Sequence, residues 1–126
     1  MDFHRENEII QTVLASAICV HQELGPGLLE SVYEGAMAVE LRESGLLFQR
    51  QVPVPVTYKG CEIGTGFRAD IIVERQLLLE LKVVNELVEE HVSQVVTYLK
   101  LMDLKRGYLL NFGKKLMRDG IKRVSR

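Results

Sequence analysis

The sequence predicts an α/β (α+β) fold in which a central mixed β-sheet is flanked by helices, with the elements in the order ααβββαβ(β). Two patterns carry this prediction. Apolar residues recur at helical spacing before residue 45 and again between about 87 and 104, whereas the period is two between 48 and 82. The 126 residues are enough for a single domain, 1–126, with a core of its own.

Two helices are predicted in the first 44 residues. The first covers 3–22, and its apolar stripe is Ile9, Ile10, Val13, Leu14, Ala17, Ile18 and His21. Gly25-Pro26-Gly27 breaks the helical pattern. The second helix runs from about Leu28 to Ser44, and Gly45 ends it. Its buried residues are expected to be some combination of Leu29, Val32, Ala36, Val39 and Leu41.

The later elements are three strands, a third helix and two short strands. They are predicted at 48–58, 61–73, 76–82, 87–104, 107–112 and 121–124. Pro53 and Pro55 have no backbone N–H to donate, so the first strand should lie at an edge or be irregular there. The apolar stripe of the third helix is Val88, Val92, Val95, Val96, Leu99 and Met102.

Strand alternation brings two acids and a lysine together. One face of 61–73 should hold Phe67, Ala69, Ile71 and Val73, and the other should hold Asp70. Glu80 and Lys82 share a face, and a hairpin register can place Asp70 beside them. Two carboxylates among leucines are costly to bury without a purpose, and hard oxygen ligands suit Mg²⁺ or Mn²⁺. The alternative is a solvated Glu-x-Lys ion pair, which is common on strands.

Three further polar residues stand beside the apolar stripes. Glu30 lies in the first turn of the second helix, and Gln94 and Tyr98 lie four residues apart on the third. A glutamine amide and a tyrosine hydroxyl can orient a phosphate or a water beside a metal. The alternatives are an acid that favours the positive helix N-terminus and a partly buried helix edge.

Composition and charge limit the class of protein. No apolar run approaches the ~20 residues needed to cross a bilayer, the polar N-terminus is not a secretory signal, and no membrane partner is expected. Cys19 and Cys61 have no metal or disulfide spacing, so a reducing compartment, the cytoplasm, is expected.

The charges are unevenly distributed along the chain. Residues 105–126 hold eight basic residues against one acid, although the whole chain has a net charge of −1. A basic end of this kind can contact a phosphate backbone, and a solvated basic tail is the alternative. The candidate nucleic-acid-binding residues are Lys114, Lys115, Arg118, Lys122 and Arg123.

Several short motifs carry a resemblance to a known family. The stretch Gly27-Leu28-Leu29-Glu30-Ser31-Val32-Tyr33 resembles the signature of the small bacterial and archaeal GxxExxY proteins. The agreement extends over roughly 5–125. It includes His21, Gln51-Val52-Pro53-Val54, Arg68-Ala69-Asp70, Glu80-Leu81-Lys82, Gln94-x-x-x-Tyr98 and Asn111-Phe112. That family is similar to the PD-(D/E)XK nuclease-like superfamily, and Gln-x-x-x-Tyr after the Glu-x-Lys strand resembles its RecB-type branch.

The resemblance implies a PD-(D/E)XK nuclease-like core and a set of site residues. The implied catalytic residues are Asp70, Glu80, Lys82, Gln94 and Tyr98, and the implied metal ligands are Glu30, Asp70, Glu80 and the backbone carbonyl of Leu81. Ala69 stands where the superfamily motif has proline, and such loss is common in the superfamily.

The implied activity is Mg²⁺- or Mn²⁺-dependent hydrolysis of phosphodiester bonds, with DNA favoured over RNA as the partner. The rival is an inactive nucleic-acid-binding or protein-interaction module on the same fold. A chain of 126 residues has little room for a substrate-recognition domain, which favours that rival or a partner subunit. A third interpretation is a purely structural homo-oligomer whose sheet edge pairs with a second copy. The complete set of acids, lysine, glutamine and tyrosine favours the enzyme, because a decayed site would usually lack one of them.

Overall fold

The computed structural model describes residues 3–126, and within them the elements follow the predicted order. They are α1 (Phe3–Leu24), α2 (Glu30–Glu43), β1 (Phe48–Tyr58), β2 (Cys61–Val73), β3 (Leu77–Lys82), α3 (Glu89–Met102), β4 (Arg106–Asn111) and β5 (Ile121–Ser125). A 3₁₀ turn, Met117–Gly120, precedes β5. The predicted fold class is confirmed, and the element boundaries differ from the predicted ones by two residues or fewer.

The five strands form one mixed sheet in the order β1-β2-β3-β4-β5. β3 and β4 are parallel and the other neighbours are antiparallel, because α3 carries the chain back between β3 and β4. β1 lies at an edge, as Pro53 and Pro55 predict, and its register shifts between Val54 and Pro55.

Helices cover both faces of the sheet, and each face has its own core. α1 and α2 pack on the face that carries Leu77, Leu79 and Leu81. α3 packs on the other face, where Leu78 and Leu109 are buried. Glu80 therefore lies on the α3 side of β3, between two leucines of the opposite side.

The buried stripe of α2 differs from the predicted one. Leu29, Val32 and Val39 are exposed, and the buried residues are Tyr33, Glu34, Met37, Ala38 and Leu41. Apolar residues occur on every face of this helix, so their periodicity alone does not indicate which face is buried. The third-helix prediction fails only at Val88, which precedes α3 and is exposed.

The predicted alternation along β2 is wrong at one point. Ala69 packs in the α3 core whereas Ile71 packs in the α1/α2 core. The change falls at Asp70, where the β1–β2 pairing passes from Arg50↔Ile71 to Val52↔Ala69 with no pair between them. Gln51, at that gap, has φ of 49°, which takes it out of strand geometry.

Candidate active site

The candidate site lies in a notch where β2 and β3 separate. The two strands pair only from Ile71↔Leu79 to Val73↔Leu77. Beyond that point the Asp70 side chain replaces the ladder, because its Oδ2 accepts a hydrogen bond from the backbone N–H of Leu81 at 2.8 Å. Since the N–H and C=O of one strand residue point to the same side, the Leu81 carbonyl also faces the notch.

Glu80 lies next to Asp70 and is 6% exposed. Among the described residues its Oε1 is buried without a hydrogen-bond partner. Burial, and then the charge and side-chain hydrogen bonding of Asp70, raise the pKa of Glu80 to about 9, although the Lys82 ammonium and a backbone hydrogen bond from Asp70 oppose the shift. Without a bound cation this carboxyl group is therefore protonated at neutral pH.

Glu30 approaches the same notch from the first turn of α2. Partial loss of solvent raises the pKa of Glu30, Lys82 lowers it, and the charges of Asp70 and Glu34 raise it further. These influences place Glu30 within electrostatic range of both Asp70 and Lys82. A cleft of about 340 Å³ is lined by Glu30, Ser31, Glu34, Gln51, Asp70 and Leu81.

A buried stack fixes the start of α2 and hence Glu30. The Tyr33 hydroxyl donates to the Gly25 carbonyl at 2.5 Å and accepts from the Leu28 N–H at 3.1 Å. Its ring stacks on Phe112 with centroids 4.5 Å apart, and the His21 ring stacks on Phe112 with centroids 6.4 Å apart. The turn before α2 is thereby tied to the end of β4.

Lys82 and Tyr98 lie close to the acids of the notch, whereas Gln94 makes no hydrogen bond with them. Lys82 is half-buried, and its side-chain ammonium makes no ion pair or hydrogen bond with any residue of 3–126. Tyr98 stacks on Phe67 with centroids 3.6 Å apart, and burial, followed by the charges of Glu80 and Asp70, raises its pKa. Gln94 is exposed one turn before Tyr98, and its side chain makes no hydrogen bond within the described chain.

The structure adds two sets of residues at the site that were not among the predicted site residues. Glu34, which is 8% exposed, accepts hydrogen bonds from Arg50 Nε at 3.0 Å and from Gln51 Nε2 at 2.6 Å. Gln51 Nε2 also lies 3.4 Å from Asp70 Oδ1. The only sequence signal was the Gln51-Val52-Pro53-Val54 stretch, and nothing in it indicated a link to Asp70.

The second such group is Asn111, which is fully buried at the end of β4. Its side chain accepts from the Val84 and Gly113 N–H groups, each at 3.0 Å, and donates to the Val84 carbonyl at 2.9 Å. It thus fixes the chain directly after Lys82. A Cβ on Gly113 would lie 2.5 Å from the Val84 carbonyl, so only glycine fits this close approach.

The five predicted nucleic-acid-binding residues do not share one face. Lys114 is half-buried and pairs with Glu86 at 2.6 Å, whereas the other four side chains are exposed. On β5, Ile121 packs against the α1/α2 core and Val124 lies in the α3 core. Lys122 and Arg123 therefore point to opposite faces of the sheet.

The donors at the notch fit a hard divalent cation. Within residues 3–126, no three His, Cys, Asp or Glu side chains converge tightly enough to enclose a metal by themselves. Mg²⁺ does not require such a cage, because it keeps several waters and is usually bound through one or two carboxylates. Asp70, the partnerless Oε1 of Glu80 and the Leu81 carbonyl supply oxygen ligands of that kind.

The five-stranded mixed sheet with helices on both faces is the architecture of a PD-(D/E)XK nuclease-like α+β core. The family model of the PD-(D/E)XK nuclease superfamily matches residues 7–124, and the chain belongs to that superfamily. Comparisons with curated proteins and with solved structures found no match. No helix of 3–126 is both long enough and apolar enough to span a bilayer.

Proposed function

We propose that this protein is a metal-dependent nuclease that hydrolyses phosphodiester bonds of DNA, with RNA as the second substrate to test. The observation that carries the proposal is the buried Glu80 Oε1, which has no partner in the described chain and lies beside a second carboxylate. An orphaned buried oxygen is costly unless something binds it. Membership of a nuclease superfamily supports a cation and a phosphodiester substrate as its partners.

The chain supplies distinct groups for distinct tasks. Asp70, Glu80 and the Leu81 carbonyl would hold Mg²⁺ or Mn²⁺, and Glu30 would bind the ion directly or through a water. The bound ion supplies Lewis acidity, which polarises the phosphate and lowers the pKa of a coordinated water.

The Lys82 ammonium makes no hydrogen bond or ion pair within residues 3–126, so it is available to position the water and to stabilise negative charge that develops on the phosphate. Tyr98, held by Phe67, and Gln94 would orient the substrate or the lysine.

The finer class assignment is also a proposal. Gly27, Glu30 and Tyr33 support membership of the GxxExxY proteins, and Gln94 with Tyr98 supports the RecB-type branch. Tyr33 has a structural reason to belong to such a signature, because its hydroxyl organises the turn that Gly27 occupies. The two cysteines are free, which supports a reducing compartment such as the cytoplasm.

A cleavage screen tests the activity. Purified protein is incubated with single-stranded, duplex and branched DNA and with RNA, with Mg²⁺, Mn²⁺ or a chelator. We expect cation-dependent products from the wild type, a loss of about 10²-fold or more in Lys82→Ala, and wild-type activity in Lys100→Ala, an exposed lysine on α3. Binding without cleavage under every condition would instead identify an inactive nucleic-acid-binding module, and a sizing column run alongside tests for a homo-oligomer.

A further inference from the structure

A single glutamine amide connects the metal-binding candidate Asp70 to a buried acid on another element. Gln51 Nε2 carries two N–H donors. It lies 2.6 Å from Glu34 Oε1 and 3.4 Å from Asp70 Oδ1, so one donor is directed to each carboxylate. Asp70 is then held at both oxygens, because its Oδ2 accepts from the Leu81 N–H.

The other end of this connection is rigid. Glu34 is 8% exposed, lies on the buried stripe of α2, and accepts a second hydrogen bond from Arg50 Nε at 3.0 Å. A buried carboxylate with a charged partner and an amide donor has little freedom to rotate. The orientation of α2 is therefore transmitted through Gln51 to Asp70.

The backbone of Gln51 has an unusual conformation for a residue within a strand. Its φ of 49° lies in the left-handed region, which few non-glycine residues adopt. The β1–β2 pairing skips this residue and Asp70, and the side-chain faces of β2 change at the same point. A strained backbone persists only where the surrounding structure determines it, and such residues concentrate at functional sites.

We propose that Gln51 is a positioning residue that aims the Asp70 carboxylate into the notch, with Glu34 as its anchor. The role of Gln51 in catalysis depends on the function proposed above, whereas its effect on the orientation of Asp70 does not. The competing explanation is that Gln51 is only a local irregularity of the β1–β2 ladder. In that case the Gln51 side-chain amide would have no influence on the hydrogen bond between the Leu81 N–H and the Asp70 carboxylate.

The metal-free protein gives the first test. The Leu81 amide reports directly on its bond to Asp70, and ¹⁵N-resolved NMR measures its chemical shift and hydrogen exchange. We expect Gln51→Ala and Gln51→Gly to shift this resonance and to speed its exchange about five- to tenfold, the equivalent of one hydrogen bond. Gln51→Gly also relieves the backbone strain, so agreement between the two variants assigns the effect to the amide.

Gln49→Ala is the matched control, because Gln49 is exposed on the same strand and its side chain makes no hydrogen bond in the described chain. An unchanged Leu81 amide in both Gln51 variants would overturn the proposal, whatever the protein does with metal. A shifted amide in a protein that never binds Mn²⁺ would support the positioning role and refute the proposed metal site.

Mn²⁺ titration by calorimetry gives the second test. Residues that orient a metal ligand typically contribute about 10- to 100-fold to affinity. We expect Gln51→Ala to weaken binding by about tenfold and Gln49→Ala to leave it unchanged. The double variant, Gln51→Ala with Glu34→Gln, should bind Mn²⁺ as tightly as the weaker-binding of the two single variants, because both residues act on Asp70 through the same hydrogen-bonded chain. Fully additive losses would show that Glu34 acts only through its charge and would refute the anchor.

Discussion

Glu80 should make the stability of the metal-free protein fall as the pH rises. Its pKa is raised from 4.5 to about 9 in the folded protein. The folded state therefore binds more protons than the unfolded state between these two values. The stabilising contribution of the protonated form is complete below about 4.5 and is lost as the pH rises toward about 9.

The size of the effect follows from the same shift. One proton taken up by the folded state alone changes the free energy of unfolding by about 1.4 kcal/mol per pH unit. Between pH 5 and pH 7 the loss assigned to Glu80 is then about 2–3 kcal/mol, on the order of 10 °C in melting temperature for a chain of this length.

Glu80→Gln isolates this contribution because the amide has the shape of the protonated acid and does not titrate. Urea unfolding at several pH values in chelator gives the stability of both proteins, and Glu62→Gln, an exposed acid on β2, is the control. We expect the free energy of unfolding of Glu80→Gln to increase steadily relative to that of the wild type as the pH rises above 5. Parallel curves for the two proteins would show that Glu80 ionises normally and would remove the physical basis of the metal proposal.

Further predictions concern the supports of the site and the basic end. Tyr33→Phe should lower the free energy of unfolding by about 1–3 kcal/mol in urea, because two buried backbone partners lose their bond, whereas exposed Tyr58→Phe should not. Asn111→Ala should cost more, about 3 kcal/mol or above in the same assay, since three backbone groups lose their partner. If Lys114 and Lys115 bind phosphates, the double alanine variant should flatten the log–log salt dependence of DNA binding by about 0.7–0.9 for each phosphate that it no longer binds. Fluorescence anisotropy measures that slope, and an unchanged slope would assign these lysines to the solvated surface.

Local patterns were sufficient to predict the elements and their order. Period-two apolar residues and the two prolines of β1 each act through neighbouring residues or through backbone chemistry. The rotation of α2 was not predictable in the same way. It depends on Tyr33, whose hydroxyl binds the preceding turn and whose ring packs on Phe112, 79 positions away in the sequence.

The site shows the same division between local and distant causes. The proximity of Asp70, Glu80 and Lys82 was predictable because they lie on adjacent strands, where pairing follows from a short hairpin. Gln51 was recognised only as part of a motif, because its two partners come from a helix and from a second strand. In a regular β1–β2 ladder, Gln51 would have an extended backbone and would pair directly with Asp70. The interruption of the ladder at this point explains why strict alternation does not hold along β2. The same interruption allows the Gln51 side-chain amide to reach the carboxylates of both Glu34 and Asp70.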